Sequence, residues 1–240
     1  MPTPSPVDAT YVGSELGAIE PAIRSADTTA AEYVAFGQRQ QQIYHLLSAH
    51  PDWLPTVLGA VSPPTRATIQ ANVMAAQQID NLNGSRTGLP HWRIVTPPAP
   101  EVLLGYYREA QHAFGIPWQY LAAINLIETN MGRIQGLSSA GAQGPMQFMP
   151  ATWAAYGRGD VNDPRDAILA AGRYLQAAGA ARNLSRAIYA YNNSDLYVRA
   201  VTLYAQQMID NERAFFGYYN WQVYVATTAG EVLLPEGFSG

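Results

Sequence analysis

Apolar residues recur at three- and four-residue spacing through most of this chain, and that period predicts helices. Residues 28–49 carry Tyr33, Phe36, Ile43, Leu46 and Leu47 as one stripe, with the run Gln40, Gln41, Gln42 read as a polar helix face. A short segment over residues 53–61 follows, and Pro63 and Pro64 open a helix to about Leu82 with Ile69, Val73, Ala76 and Ile79 on one side. Leu103, Tyr107, Ala110 and Phe114 line a helix over residues 100–114, closed by Gly115. Pro117 then opens a central helix in which Leu121, Ile124, Asn125 and Glu128 share a face.

Beyond it, residues 150–156 form a short helix. Asp163 reads as the N-cap of the next, with Pro164 at its first position, Asp166 in its first turn and Gly179 just past its end. A helix from about Ser185 ends in Tyr189, Ala190, Tyr191 and Asn192. Ser194 or Asp195 caps another to about Glu212, with Leu196, Val201, Tyr204 and Met208 inward. Only the tail changes period. Residues 221–225 alternate, Thr228, Ala229 and Gly230 turn, and residues 231–234 return, which predicts a β-hairpin. Residues 1–26, rich in Pro, Thr and Ser, read as a flexible linker.

Composition narrows the classes. With 240 residues and 48% hydrophobic content, the chain can bury a full core. The net charge is −4, all 14 basic residues are arginine, and there is no basic run of the kind nucleic acid requires. There is no cysteine, hence no disulfide or thiolate chemistry. The four histidines lack metalloprotease spacing, and neither a nucleophile elbow nor a phosphate-cradling loop is present. Asp160, Asp163 and Asp166 invite a calcium reading, but an EF-hand loop from Asp160 would need Gly where Arg165 stands and Glu where Ala171 stands. No metal and no cofactor is expected.

What chemistry remains gathers around Glu128. A glutamate at a helix end is ordinarily solvated, yet this one shares its face with Leu121 and Ile124 and should point inward. Desolvation would raise its pKa toward the range of a general acid at neutral pH. Gly132, Gly136, Gly141 and Gly144 follow as turn formers, Gln143 and Gln147 as neutral donors and acceptors, and Met146, Phe148 and Met149 as an apolar wall. One acid among amides and apolar surface suits an uncharged sugar polymer better than a phosphate or a metal. His91 and Trp92 stand in a proline-rich crossover, where a tryptophan more often pins the segment to the core than stacks on a sugar.

Three separated motifs then carry a resemblance: Glu128-Thr129, the run Ala140-Gly141-Ala142-Gln143-Gly144-Pro145-Met146-Gln147-Phe148-Met149-Pro150, and Ala190-Tyr191-Asn192. In order and approximate spacing they resemble the lytic transglycosylases with a lysozyme-like domain, over roughly residues 100 to 212. Pro145 stands where leucine is usual, as in the B-type branch, and Asn193-Ser194 stand where Ala-Gly is common. With the periodicities, the resemblance gives a mainly α expectation: a lysozyme-like helical catalytic domain over residues 91–240 that includes the C-terminal hairpin, and, from the pattern alone, an N-terminal helical appendage over residues 27–90 with the linker before it.

It also implies cleavage of the MurNAc–GlcNAc bond of peptidoglycan with formation of a 1,6-anhydro sugar. Glu128 would act as acid and then base, Ser138 and Gln147 would hold sugar polar groups, and Met149, Tyr191 and Asn192 would shape the site. Tyr191 is also a candidate hydrogen-bond partner of Glu128. The alternatives are a hydrolytic muramidase on the same fold and a non-catalytic glycan-binding or scaffold protein. The implied partners are peptidoglycan glycan strands, together with cell-envelope proteins, for a monomer. The implied location is secreted or in the cell envelope, with an export signal or anchor lying outside this sequence.

Overall fold

The structure is a computed structural model that describes residues 7–240. In chain order its helices are α1 (Ala9–Ile23), α2 (Ala30–Ala49), α3 (Leu54–Ala60) and α4 (Pro63–Asn83). After strand β1 (Arg93–Ile94) come α5 (Pro100–Phe114) and α6 (Trp118–Thr129), then β2 (Ile134–Gln135). The chain continues with α7 (Pro150–Tyr156), α8 (Pro164–Ala177), α9 (Leu184–Tyr191), α10 (Asp195–Asp210) and α11 (Ala214–Tyr219). It ends in the antiparallel hairpin β3 (Val223–Thr227) and β4 (Gly230–Leu234). The fold is predominantly helical with a C-terminal hairpin, as the hydrophobic period predicts and as a lysozyme-like helical domain requires. One small addition is the antiparallel ribbon of β1 on β2, pairing Arg93 with Gln135 and Ile94 with Ile134.

The chain divides into two compact units. One comprises the described residues through Gln77 together with Gln207–Trp221; the other comprises Gln78–Gln206 and Gln222–Gly240. The first unit therefore differs in outline from the appendage expected over residues 27–90, because it begins earlier and takes back a later segment.

The first unit also corrects the expected linker. Residues 9–23 form α1, begun by Asp8, whose carboxylate accepts the Tyr11 backbone N–H at 2.9 Å. Val12, Leu16, Ile19 and Ile23 recur along it at four- and three-residue spacing, and all are buried. A stripe of that width is what drives a helix onto a core, so the proline-rich signal belongs to the first residues alone. Residues 1–6, where that signal is strongest, lie outside the described part. Helix α2 starts from a full capping box: the Thr29 hydroxyl accepts the Glu32 N–H, and the Glu32 carboxylate accepts the Thr29 N–H.

The glutamine run also differs from its reading as a polar outer face. Gln40 and Gln41 are buried, and Gln40 lies within a buried polar network. Its amide donates to Glu20 at 2.9 Å and accepts from the Trp221 indole at 2.9 Å. Tyr44 and Arg24 also donate to Glu20, Asn72 donates to Tyr44 at 3.0 Å, and Tyr218 donates to Asn72 at 2.6 Å. The helix period alone does not reveal a buried polar network, because its members lie far apart in sequence and satisfy one another only after packing.

In the second unit α5, α6 and α8 enclose a core that includes Leu103, Tyr107, Leu121, Ile124, Ile168, Ala171 and Leu175, all buried. Gly172 lets α8 approach α5 closely, since a Cβ there would stand 2.7 Å from the Phe114 ring. Asp163 caps α8 as predicted, accepting the Asp166 N–H at 2.9 Å with Pro164 in the first turn. The hairpin buries Val223, Val225 and Leu234 against Ile94, with Trp92, Ile134 and Phe238 packed on the same cluster. Trp92 thus pins the crossover to the core, stacked beneath the Arg86 guanidinium at 4.9 Å.

Candidate functional site

Helix α6 begins one residue later than predicted, with Pro117 at the N-cap and the Trp118 N–H held by the Gln111 side chain at 2.7 Å. Its end is sharp. Asn130 and Met131 both take left-handed backbone, φ 51° and 63°, and the Met131 N–H turns back to the Asn125 carbonyl at 3.1 Å. Glu128 therefore stands in the last turn, half-buried, with Thr129 and Asn125 fully buried beside it.

Those two neighbours fix the loop that follows. The Asn125 amide and the Thr129 hydroxyl both donate to the Pro145 carbonyl, at 2.8 and 2.6 Å, while Tyr107 donates to Asn125 Oδ1 at 2.6 Å. The adjacent carbonyl, Met146 O, accepts the Tyr191 hydroxyl at 2.6 Å. A turn over residues 144–147 is thus clamped by α6 through one carbonyl and by the end of α9 through the next. Gly144 makes the turn feasible: its φ is +71°, and a Cβ there would lie 1.9 Å from the Val161 carbonyl oxygen. Gln147 also has positive φ, 49°, and its side-chain amide folds back onto the Gly144 carbonyl at 2.9 Å, leaving its own carbonyl oxygen as an acceptor.

The Glu128 carboxyl is held by a residue that the sequence reading passed over. Tyr197, the buried first-turn tyrosine of α10, donates its hydroxyl to Glu128 Oε1 at 2.6 Å. Tyr191, the expected partner, is engaged with Met146 instead, and burial, with help from the nearby Glu128 charge, pushes its phenol well above the ordinary value. A signal for Tyr197 was available. Tyr197, Val201, Tyr204 and Met208 are spaced by four, three and four, and all are buried, whereas Leu196, expected inward, is only half-buried.

Two effects oppose each other at Glu128. Burial disfavours the carboxylate and raises its pKa, while the Tyr197 hydrogen bond favours the carboxylate and lowers it. Burial wins, and the pKa is raised to about 7. No second carboxylate contributes to that shift. At neutral pH such a group is both a competent proton donor and, once ionised, a competent acceptor.

The other expected residues fall around this centre to different degrees. Met149 is the N-cap of α7, 44% exposed, and Asn192 is the half-buried C-cap of α9. Phe148 carries the Tyr191 ring at 5.9 Å and the Trp153 ring at 5.5 Å, both edge-on. Ser138 is set in its own turn, its oxygen accepting the Ala140 and Ala142 N–H groups at 3.2 and 3.0 Å, and it makes no hydrogen bond to Glu128 or to the two tyrosines. The aspartates of residues 160–166 serve the local turn: Asp160 accepts the Asn162 N–H and Asp166 accepts the Asp160 N–H, at 2.9 and 3.0 Å.

The second unit thus brings one high-pKa glutamate and a clamped glycine turn together on a helical scaffold. The family model described as the transglycosylase SLT domain matches residues 105–213, a span that contains Glu128, the clamped turn and both tyrosines. The chain therefore carries an SLT-type lytic transglycosylase domain, and it is an enzyme of that class. Comparison with curated proteins gave no match, and comparison with solved structures gave none.

Proposed function

We propose that this enzyme cleaves the MurNAc–GlcNAc β-1,4 bond of peptidoglycan glycan strands with Glu128 as its single catalytic carboxyl, releasing a 1,6-anhydroMurNAc end. The observation that carries this is the Glu128 carboxyl itself, held by the Tyr197 hydroxyl at 2.6 Å and raised by burial to a pKa of about 7. Glycosidases that use water or an enzyme nucleophile need two carboxyl groups, roughly 5 Å apart for retention and further for inversion. A site built around one carboxyl suits a reaction whose nucleophile comes from the substrate.

The sequence of events balances. Protonated Glu128 gives its proton to the glycosidic oxygen, the bond from MurNAc C1 to that oxygen breaks, and the GlcNAc leaves as an alcohol. The neighbouring N-acetyl carbonyl stabilises the positive C1. Glu128, now ionised, takes the proton of the MurNAc C6 hydroxyl, whose oxygen closes onto C1. Glu128 ends as it began, and no water is consumed. Tyr197 supports this double duty by fixing one carboxyl oxygen, which leaves the other free for the sugar. Gln147, Met149, Tyr191 and Asn192 shape the surface on which the strand lies, and Ser138 sits at the start of the loop that borders it. A substrate of this kind would be met in the cell envelope or outside the cell.

The test is product analysis of digested sacculi. Wild type should release muropeptides lacking one water relative to hydrolysed ones, and Glu128→Gln should release none while still binding sacculi. Reducing-end products would make the enzyme a hydrolytic muramidase, and undiminished turnover by Glu128→Gln would move the acid elsewhere.

A further inference from the structure

Tyr191 is the inner end of an aromatic run that the chemistry at Glu128 does not use. Its ring meets Tyr174 edge-on at 5.5 Å, and Tyr174 meets Tyr156 edge-on at 5.0 Å. The Tyr174 hydroxyl is tied to the Ala190 carbonyl at 2.6 Å, so the run is anchored to the end of α9 beside Tyr191. Tyr156 and Tyr174 are half-buried and keep part of their surface open. At the outer end stand two arginines. Arg173 donates to the Tyr156 carbonyl and lies over the Phe114 ring at 5.3 Å, which fixes its guanidinium at the end of α7. Arg158, two residues past Tyr156, is exposed.

The two cations act on each other through their charge. Burial and then the like charge of Arg158 hold Arg173 below the usual guanidinium value. Among the described residues neither has a carboxylate partner, unlike Arg165, which pairs with Glu109, and Arg39, which pairs with Glu15. Asp166, the acid beside this loop, is turned onto the Asp160 N–H. In a chain of net charge −4, two adjacent guanidiniums without a counter-charge mark a place where an anionic group would be stabilised.

We propose that Arg158 and Arg173, at the outer end of the Tyr191–Tyr174–Tyr156 run, form a subsite for the carboxylates of the stem peptides that a peptidoglycan strand carries. The proposal rests on the reading of this chain as a peptidoglycan enzyme. The aromatic faces take the apolar side of a sugar or peptide, and the paired guanidiniums take one or two carboxylates in the fork geometry that suits them. A long phosphate polymer fits less well, because the overall negative charge repels a polyanion while a local pair of cations needs only a local pair of anionic groups.

The disaccharide GlcNAc–MurNAc, with and without its stem peptide, contains no MurNAc–GlcNAc bond and is not turned over, so binding is read apart from cleavage. By calorimetry, wild type should bind the peptide-bearing form more tightly than the bare disaccharide. Arg158→Glu, at an exposed position, should weaken the peptide-bearing form about tenfold and leave the bare form unchanged. Arg158→Lys should retain most of the preference. Equal affinity of wild type for the two forms would overturn the subsite, as would an equal loss on both in Arg158→Glu. Competition by a polyglycerol phosphate but not by free stem peptide would overturn it too. Failure of the transglycosylase reading shows elsewhere, as the lack of anhydro products from intact strands.

Discussion

The placement of Glu128 destabilises the fold at the pH where the site works. Its carboxyl titrates at 4.5 when solvated and at about 7 in the folded protein. Below pH 4.5 it is protonated in both states and nothing is lost. Between 4.5 and 7 the unfolded chain ionises while the folded one resists, so stability falls as pH rises through that window and levels off above it. The difference between 4.5 and about 7 corresponds to about 3 kcal/mol. Glu128→Gln removes the ionisation but keeps an acceptor for the Tyr197 hydroxyl, so it should remove this loss together with the activity. Denaturant unfolding of wild type and variant from pH 4 to pH 8 measures the difference, in which the other titrating groups cancel. The variant should match wild type near pH 4 and exceed it by about 3 kcal/mol near pH 8. A difference curve that stays flat, or one that favours wild type as pH rises, would refute the placement of Glu128 in a desolvated site.

Tyr197→Phe should keep the fold but remove the one interaction that lowers the Glu128 pKa; the alkaline limb of kcat/KM should then move upward, read from a pH–rate profile. An unmoved limb would mean that the hydroxyl does not act on the carboxyl. Gly144→Ala meets both an unfavourable φ of +71° and the Val161 carbonyl at 1.9 Å, so it should lower the melting temperature and cut turnover together by disturbing the clamped turn. Asp163→Ala removes the α8 cap and should lower stability by about 1 kcal/mol in denaturant titration, with the products of cleavage unchanged.

Much of this protein was legible in local pattern. The period of the apolar positions gave α2 and α4 through α10 to within a few residues, and the switch to alternation gave the hairpin, because these signals depend only on which faces a segment must bury. Caps were equally local: Asp163, Pro164 and Gly179 mark the limits of α8 by chemistry within a few residues of each end. Glu128 was legible as an inward acid because its own helix carries Leu121 and Ile124 on the same face.

What the sequence left open is whatever two distant segments decide jointly. Composition hid α1, since the prolines of the first residues coloured the reading of a helix whose stripe starts at Val12. The buried Gln40 looks like any surface glutamine until Glu20 and Trp221 are brought to it from far along the chain. Tyr191 and Tyr197 are equally plausible partners for Glu128 by spacing. Only the packing of α10 aims Tyr197 at the carboxyl and leaves Tyr191 to the Met146 carbonyl. Hydrogen bonds are satisfied within about 3 Å, and sequence separation carries no information at that scale. Local period sets which side of a helix is buried, but which buried hydroxyl reaches which oxygen is settled only when the helices meet.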